Sequence, residues 1–139
     1  EIGQQYVDFS ITDDLNTKTA FSDVKGKLTL LEFWASWCGP CIEEYPNLKK
    51  AYAQYKDDGF EIVSISDDRR KKDWVQAIKK HELNWVNLRD AKAGDADPFL
   101  IYGISGIPDS FLIDEEGVIV GRDLRGDDLL RAIEKHLYQ

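Results

Sequence analysis

Short apolar runs, separated by turns and charges, divide the chain into alternating strands and helices. Two runs are apolar without clean alternation, which is typical of parallel strands buried on both faces: 28–35 and 60–66. Three segments carry apolar residues every three or four positions, the period of an amphipathic helix: 38–55, 71–81 and 127–137. Pro46 is expected to kink the first of these helices, and Asp67 or Asp68 is expected to cap the second.

Shorter segments complete the pattern. Alternation over 7–11 predicts an edge strand, 85–88 is short and extended or irregular, and 95–102 is compatible with a short helix. Residues 110–114 and 118–122 are predicted strands whose short connection indicates a hairpin. The order strand, helix, strand, helix, hairpin and helix predicts an α/β fold, with a mixed sheet and helices on both faces.

Length and charge restrict the class of protein. The 139 residues contain no internal repeat, low-complexity tract or linker, so residues 1–139 are expected to form one domain with an N-terminal extension over 1–27. The formal net charge of −8 argues against nucleic-acid binding. The basic run 69–72 opens a predicted helix and is interpreted as a solvated helix face.

Nothing in the chain approaches the roughly 18 apolar residues of a transmembrane helix. The sequence begins at Glu1 and contains no Met. We therefore expect a processed or excised piece from which any signal peptide or lipid anchor has been removed.

The candidate chemistry lies in Cys38 and Cys41, the two cysteines of the chain. Disulfide exchange needs one acidic thiol and a second thiol that resolves the mixed disulfide. Cys38 falls at a predicted helix start, where unpaired N–H groups and the helix dipole favour a thiolate, and Cys41 lies one turn further on and less exposed. Gly39 lets a partner chain approach closely, and Pro40 suits the first helical turn.

Two other interpretations of this spacing are half a metal site and a structural disulfide. A structural zinc site needs four ligands, and closing a four-residue loop removes little chain entropy. The position between a buried strand and an amphipathic helix therefore favours redox chemistry. No metal and no other cofactor is expected.

Two further positions are unusual. Glu32 interrupts a buried apolar run, where desolvation would raise the pKa of its carboxyl and allow proton exchange with Cys41 near neutral pH. The alternative is that Glu32 faces solvent or pairs with a lysine. Pro108, preceded by Gly106 and Ile107, either ends strand pairing or follows a cis peptide bond that frees the Ile107 backbone for a peptide.

The segment FWASWCGPC, residues 33–41, closely resembles the active-site segment of the thioredoxins. Further positions agree with that family in order: Glu32 at its buried Asp, Pro46 at its helix-kinking proline, Ile107 and Pro108 at its cis-proline loop, and Gly117 in the following hairpin turn. The resemblance covers roughly residues 28–139 and implies a thioredoxin fold with an inserted helical segment at about 67–102.

Within that superfamily the chain looks more like the TlpA/ResA-type branch, because it has an N-terminal extension, Glu at position 32 and the inserted segment. The resemblance implies an extracytoplasmic bacterial protein of the periplasm, of a kind often tethered to the membrane. Such proteins keep substrate cysteines reduced as part of cell redox homeostasis. The implied partners are protein disulfide substrates and a membrane or soluble reductase as electron donor, and we expect a monomer.

By the same resemblance, Cys38 attacks the substrate disulfide, Cys41 releases the product and Glu32 serves Cys41 as acid and base. Ile107 and Pro108 hold the substrate backbone, and Trp37 borders the groove. Two departures stand out. Ser64 lies near the position of a thioredoxin lysine, and Asp109 replaces a threonine, where it would raise the pKa of Cys38 or select basic partners.

The expected function is a thiol-disulfide oxidoreductase that reduces protein disulfides. A disulfide oxidase or isomerase and a non-catalytic metal- or partner-binding module are the alternatives. A peroxidase is less favoured because its Thr-x-x-Cys surround is missing. Copper capture would need a histidine beside Cys38, and His81 and His136 are expected to be surface residues.

Overall fold

The computed structural model describes residues 2–12, 17–90 and 97–138. Seven strands and five α-helices follow one another in these ranges, with a 3-10 turn at Lys56–Asp58: β1 Ser10–Thr12, β2 Lys18–Ala20, α1 Phe21–Val24, β3 Leu28–Trp34, α2 Gly39–Tyr55, β4 Phe60–Ser66, α3 Lys71–His81, β5 Val86–Arg89, α4 Pro98–Ile101, β6 Asp109–Ile113, β7 Ile119–Arg122 and α5 Gly126–Leu137.

The central sheet has the strand order β5-β4-β3-β6-β7. Strands β3, β4 and β5 are parallel, and β6 and β7 join antiparallel, so the predicted mixed sheet is confirmed. Glu32 lies within the central strand β3, paired in register with Ser64 on β4 and Ser110 on β6. All seven residues of β3 are buried, as its unbroken apolar run predicted.

Helices cover both faces of the sheet, which gives the α/β thioredoxin architecture. On one face, Leu30 and Trp34 pack with apolar residues of α2, α3 and α5. On the other face, Leu31 and Phe33 pack with residues of the N-terminal segment, α1 and α4. Because strand side chains alternate, Glu32 lies on the α2 and α5 face, beneath the helix that carries the cysteines.

The N-terminal extension docks on the β6-β7 hairpin. Gln5 forms a bridge with Val118, and Tyr6 N donates to the Gly117 carbonyl at 2.8 Å. Gly117 has a φ of +86°, and a Cβ there would lie 2.8 Å from the Tyr6 ring. The turn therefore requires glycine both for its backbone conformation and for the close approach of this ring.

Two local predictions differ from the structure. The strand predicted over 7–11 is shorter and shifted, because β1 begins at Ser10 and pairs with β2. Helix α3 starts after Arg70, without a side-chain cap among the described residues. Asp68 is drawn instead to Ser36, where its carboxylate meets two donors.

The helix predicted over 95–102 is observed as Pro98–Ile101, and its positions 95 and 96 lie outside the described residues. Within the described ranges, no helix combines the length and apolar character needed to cross a membrane.

Candidate active site

The two cysteines lie at the N-terminus of α2 and form a disulfide with a Cα–Cα distance of 5.3 Å. Cys38 is the N-cap residue, and its Sγ accepts a hydrogen bond from Cys41 N at 3.2 Å. The positive end of a 17-residue helix therefore faces the Cys38 sulfur, which favours a thiolate there once the disulfide is reduced. Both residues are buried in the oxidised state, Cys41 at 1% exposure and Cys38 at 4%.

A buried carboxylate holds the loop between β3 and Cys38. Ser36 donates to Asp68 from its backbone N–H at 3.1 Å and from its hydroxyl at 2.6 Å. Ser66 Oγ also donates to this carboxylate, at 2.5 Å. Asp68 is only 2% exposed, so these hydrogen bonds satisfy a carboxylate that is buried away from solvent. Asp68 thereby ties the end of β4 to the loop that precedes Cys38.

Glu32 is buried, as one of the two sequence interpretations predicted, with 5% of its surface exposed. Burial raises the pKa of its carboxyl to about 7. A hydrogen bond from Ser64 Oγ opposes this rise, and the nearby Glu44 carboxylate adds to it. Glu32 therefore changes protonation in the range where general acid–base catalysis at neutral pH is efficient.

A small cleft brings Glu32, Cys41 and Pro108 together. Its volume is about 20 Å³, and one water molecule needs a similar space of about 10 to 15 Å³. Glu44 on α2 and Arg125 before α5 also line it. The residues predicted as acid–base group, resolving thiol and cis-proline thus share one cavity.

The Ile107–Pro108 peptide bond is cis, one of the two states that the sequence left open. Arg125 Nη2 donates to the Pro108 carbonyl at 3.3 Å. Asp109 is 13% exposed at its side chain and pairs with Arg122 at 3.1 Å. The Asp109 carboxylate is therefore ion-paired with an arginine of the neighbouring strand.

The surface around the cysteines is open. Trp37 is 68% exposed, and Gly39 and Pro40 are exposed at the first turn of α2. A Cβ at Gly39 would meet nothing within 4 Å, so a partner chain has room to approach there. Four of the five predicted contact residues therefore border the disulfide or its cleft, and the fifth, Ile107, is half-buried beside Pro108.

Glu44 and Asp68 are site residues that the sequence analysis did not assign. Glu44 lies three positions after Cys41, on the same helical face, and this spacing was the available signal. Its Oε2 accepts from Gly126 N at 2.9 Å and from Asn47 Nδ2 at 3.0 Å, which joins α2 to the start of α5. Asp68 was considered only as a helix cap.

Neither His81 nor His136 is among the residues that line the cleft beside Cys41. The His81 ring packs 5.3 Å from the ring of Tyr45 and is half-buried, as is His136. Within the described residues, no three His, Cys, Asp or Glu side chains are grouped so that they would hold a metal ion.

Comparison with known proteins places this site in a family context. A model of the AhpC/TSA family matches residues 2–122. A protein of Bacillus thuringiensis subsp. konkukian named thiol-disulfide oxidoreductase ResA is 32% identical over 137 residues, which cover 99% of this chain and 77% of that protein.

Solved structures share this fold. The thioredoxin domain of a thiol-disulfide oxidoreductase from Bacteroides vulgatus superposes with a TM-score of 0.89 at 36% identity, covering 99% of this chain and 98% of that one. A protein described as a thiol:disulfide interchange protein DsbE from Chlorobium tepidum gives a TM-score of 0.86 at 30% identity, with the same coverage.

Proposed function

The chain belongs to the AhpC/TSA family and is a thiol-disulfide oxidoreductase of thioredoxin fold, and on that premise we propose that it acts as a reductase of protein disulfides. The observation that carries this direction is the charge around Cys41. Four carboxyl groups line the cleft beside it, those of Glu32, Glu44, Asp109 and Asp123, and within the part of the chain that the structure describes, arginines pair with only two of them.

Arginines pair with two of these carboxylates, Asp109 with Arg122 and Asp123 with Arg125. Glu32 and Glu44 have no cationic partner among the described residues. Negative surroundings disfavour a thiolate, and a dithiol that is poorly stabilised gives up its electrons readily. The strong oxidant DsbA shows the opposite case, since its reduced form is the stabilised one.

In the proposed cycle, the Cys38 thiolate attacks one sulfur of a substrate disulfide. The substrate disulfide breaks, a mixed disulfide forms on Cys38, and the first substrate sulfur leaves and takes up a proton. Glu32 then accepts the Cys41 proton, through a water in the shared cleft, and Cys41 attacks the Cys38 sulfur. The second substrate sulfur leaves as a thiolate and takes up the proton that Glu32 releases, and a reductase then restores the dithiol with two electrons and two protons.

The equilibrium reduction potential of the Cys38–Cys41 pair tests the direction. Against glutathione or thioredoxin as standard, we expect a value near or below about −250 mV. A value above about −180 mV would refute the reductase and support an oxidase or isomerase. The roles of the two thiols are checked separately, because Cys41→Ser should accumulate a mixed disulfide on Cys38 and Cys38→Ser should not.

Substrate docking is proposed for the open surface formed by Trp37, Gly39, Pro40, Ile107 and Pro108. Its support is the exposed indole beside the disulfide and the clear space over Gly39. Trp37→Ala should raise KM for a protein disulfide by about tenfold or more, since an exposed tryptophan is a typical interface anchor. The rate with a small disulfide should be unchanged; equal losses with both substrates would contradict docking.

We place the protein outside the cytoplasm, in the bacterial periplasm and working as a monomer, with a membrane or soluble reductase as donor. The relatives named ResA and DsbE support this placement by resemblance. Cell fractionation with a cytoplasmic marker enzyme tests the location. Finding the chain with that marker would overturn it.

A further inference from the structure

A chain of two hydrogen bonds connects Glu32, through Ser64, to Trp85. Trp85 Nε1 donates to Ser64 Oγ at 2.7 Å, and Ser64 Oγ donates to Glu32 Oε1. Ser64 is completely buried, and Trp85 is 8% exposed. Trp85 stands directly before β5, on the sheet face that also carries Glu32 and Ser64.

When Glu32 is ionised, these two hydrogen bonds run in one donor-to-acceptor direction, from Trp85 through Ser64 to Glu32. An indole N–H donates and never accepts, so Ser64 must act as acceptor towards Trp85. A serine hydroxyl has a single proton, and an ionised Glu32 can only accept it, so that proton is directed at Glu32. A donor into the hydroxyl oxygen also strengthens the bond that the hydroxyl makes in turn.

We propose that Trp85 is a positioning residue for the acid–base step, because its N–H occupies an acceptor site of Ser64 and turns the Ser64 hydroxyl proton towards the ionised Glu32. The inference rests on the proposed role of Glu32 and adds the group that controls it. Ser64 lies near the position where thioredoxins have a lysine. In this chain two neutral side chains, Trp85 and Ser64, form a hydrogen-bonded relay that ends on the buried carboxyl of Glu32.

Packing supports the assignment. The Trp85 ring meets the Tyr52 ring edge-on with centroids 5.8 Å apart, so α2 holds the indole from above. Trp85 also lines a surface groove of about 210 Å³, whereas the Ser64 hydroxyl is shielded from solvent. The indole therefore contacts both the outer groove and the buried relay.

Other charged and titratable groups also face Glu32, and the test must leave them unchanged. They come from two elements and the loop before α5: Cys41, Glu44 and Tyr45 on α2, Asp109 on β6, and Asp123 and Arg125 in the loop. None of these groups is altered in a Trp85 variant.

The chain offers a matched control in Trp74, on α3. Its ring packs on the same apolar cluster, but its indole nitrogen is buried without a hydrogen-bond partner among the described residues. Trp85→Phe and Trp74→Phe therefore each remove one indole N–H group, and only Trp85→Phe should change the titration midpoint of Glu32.

The experiment is a titration of the Glu32 side-chain carboxyl by carbon NMR in the oxidised protein, assigned with Glu32→Gln. Trp85→Phe should move the midpoint upward by roughly half a pH unit, and Ser64→Ala by about one unit or more. Trp74→Phe should leave it in place. Equal midpoints for Trp85→Phe and Trp74→Phe would overturn the inference.

A measurement on the unaltered protein guards against misfolding of the variants. The Trp85 indole N–H resonance should follow the same midpoint as Glu32, and an indole signal that ignores this titration would also overturn the proposal. Failure of the proposed function is distinguished by turnover. If Glu32→Gln reduces disulfides with the wild-type pH profile, the acid–base role fails, whatever the titration shows about Trp85.

Discussion

Replacing Glu32 with glutamine should make the protein more stable at neutral and alkaline pH. Burial raises the pKa of Glu32 from its ordinary value of 4.5 to about 7. Each pKa unit corresponds to about 1.4 kcal/mol, so ionising this group in the folded protein costs about 3 kcal/mol relative to the unfolded chain. Glutamine keeps the shape and the acceptor for Ser64 but carries no charge, so this cost disappears.

The pH dependence follows from linkage. Below pH 4.5 the carboxyl is protonated in both states, and Glu32 imposes no penalty. Between pH 4.5 and about 7 the unfolded chain releases the proton while the folded protein retains it, so stability falls; above about 7 the loss is complete. Glu32→Gln should therefore differ little from wild type near pH 4.5 and exceed it by about 3 kcal/mol at pH 8.

Urea unfolding of the oxidised proteins at several pH values between 4.5 and 8 measures this difference. Other titrating groups contribute equally to both proteins, so the difference isolates Glu32. Parallel stability profiles would refute the reasoning, because they would mean that the Glu32 carboxyl has the same pKa in the folded and unfolded states.

Three other substitutions have definite expectations. Asp68→Asn places amide hydrogens among the donors from Ser36 and should lower the free energy of unfolding by about 2 kcal/mol, measured in urea. Glu44→Gln removes a like charge and should lower the NMR midpoint of Glu32; a rise would contradict the electrostatic account. Gly117→Ala combines a positive φ with a Cβ pressed against an aromatic ring and should cost about 2 kcal/mol, again by urea unfolding.

Strands and helices with a strong apolar pattern were predictable almost to the residue. The segment 60–66 is β4 and 71–81 is α3, both as predicted, because an unbroken apolar run marks a strand buried on both faces and a spacing of three or four marks a helix packed on the sheet. The cysteine pair and Glu32 were predictable for a related reason. A carboxylate inside an apolar run and two cysteines at a helix start are visible as local exceptions.

Side-chain partners could not be predicted in this way. Asp68 reads locally as a helix cap, and only the parallel pairing of β3 with β4 brings it to Ser36. Likewise, Asp109 meets Arg122 because the β6-β7 hairpin brings these two residues together. Such contacts depend on strand register, which sequence periodicity does not specify.

The stability cost of Glu32 and its proposed chemical role have the same origin. A carboxyl with a pKa near 7 can take a proton from Cys41 and return it within one cycle, whereas a solvent-exposed glutamate is too weak a base. That pKa exists because the group is buried in the central strand, where its ionisation costs folding free energy. Glu32→Gln should therefore gain stability and lose disulfide turnover in the same protein at pH 8. A variant that gained stability without losing turnover would separate the two and leave the buried carboxyl without a function.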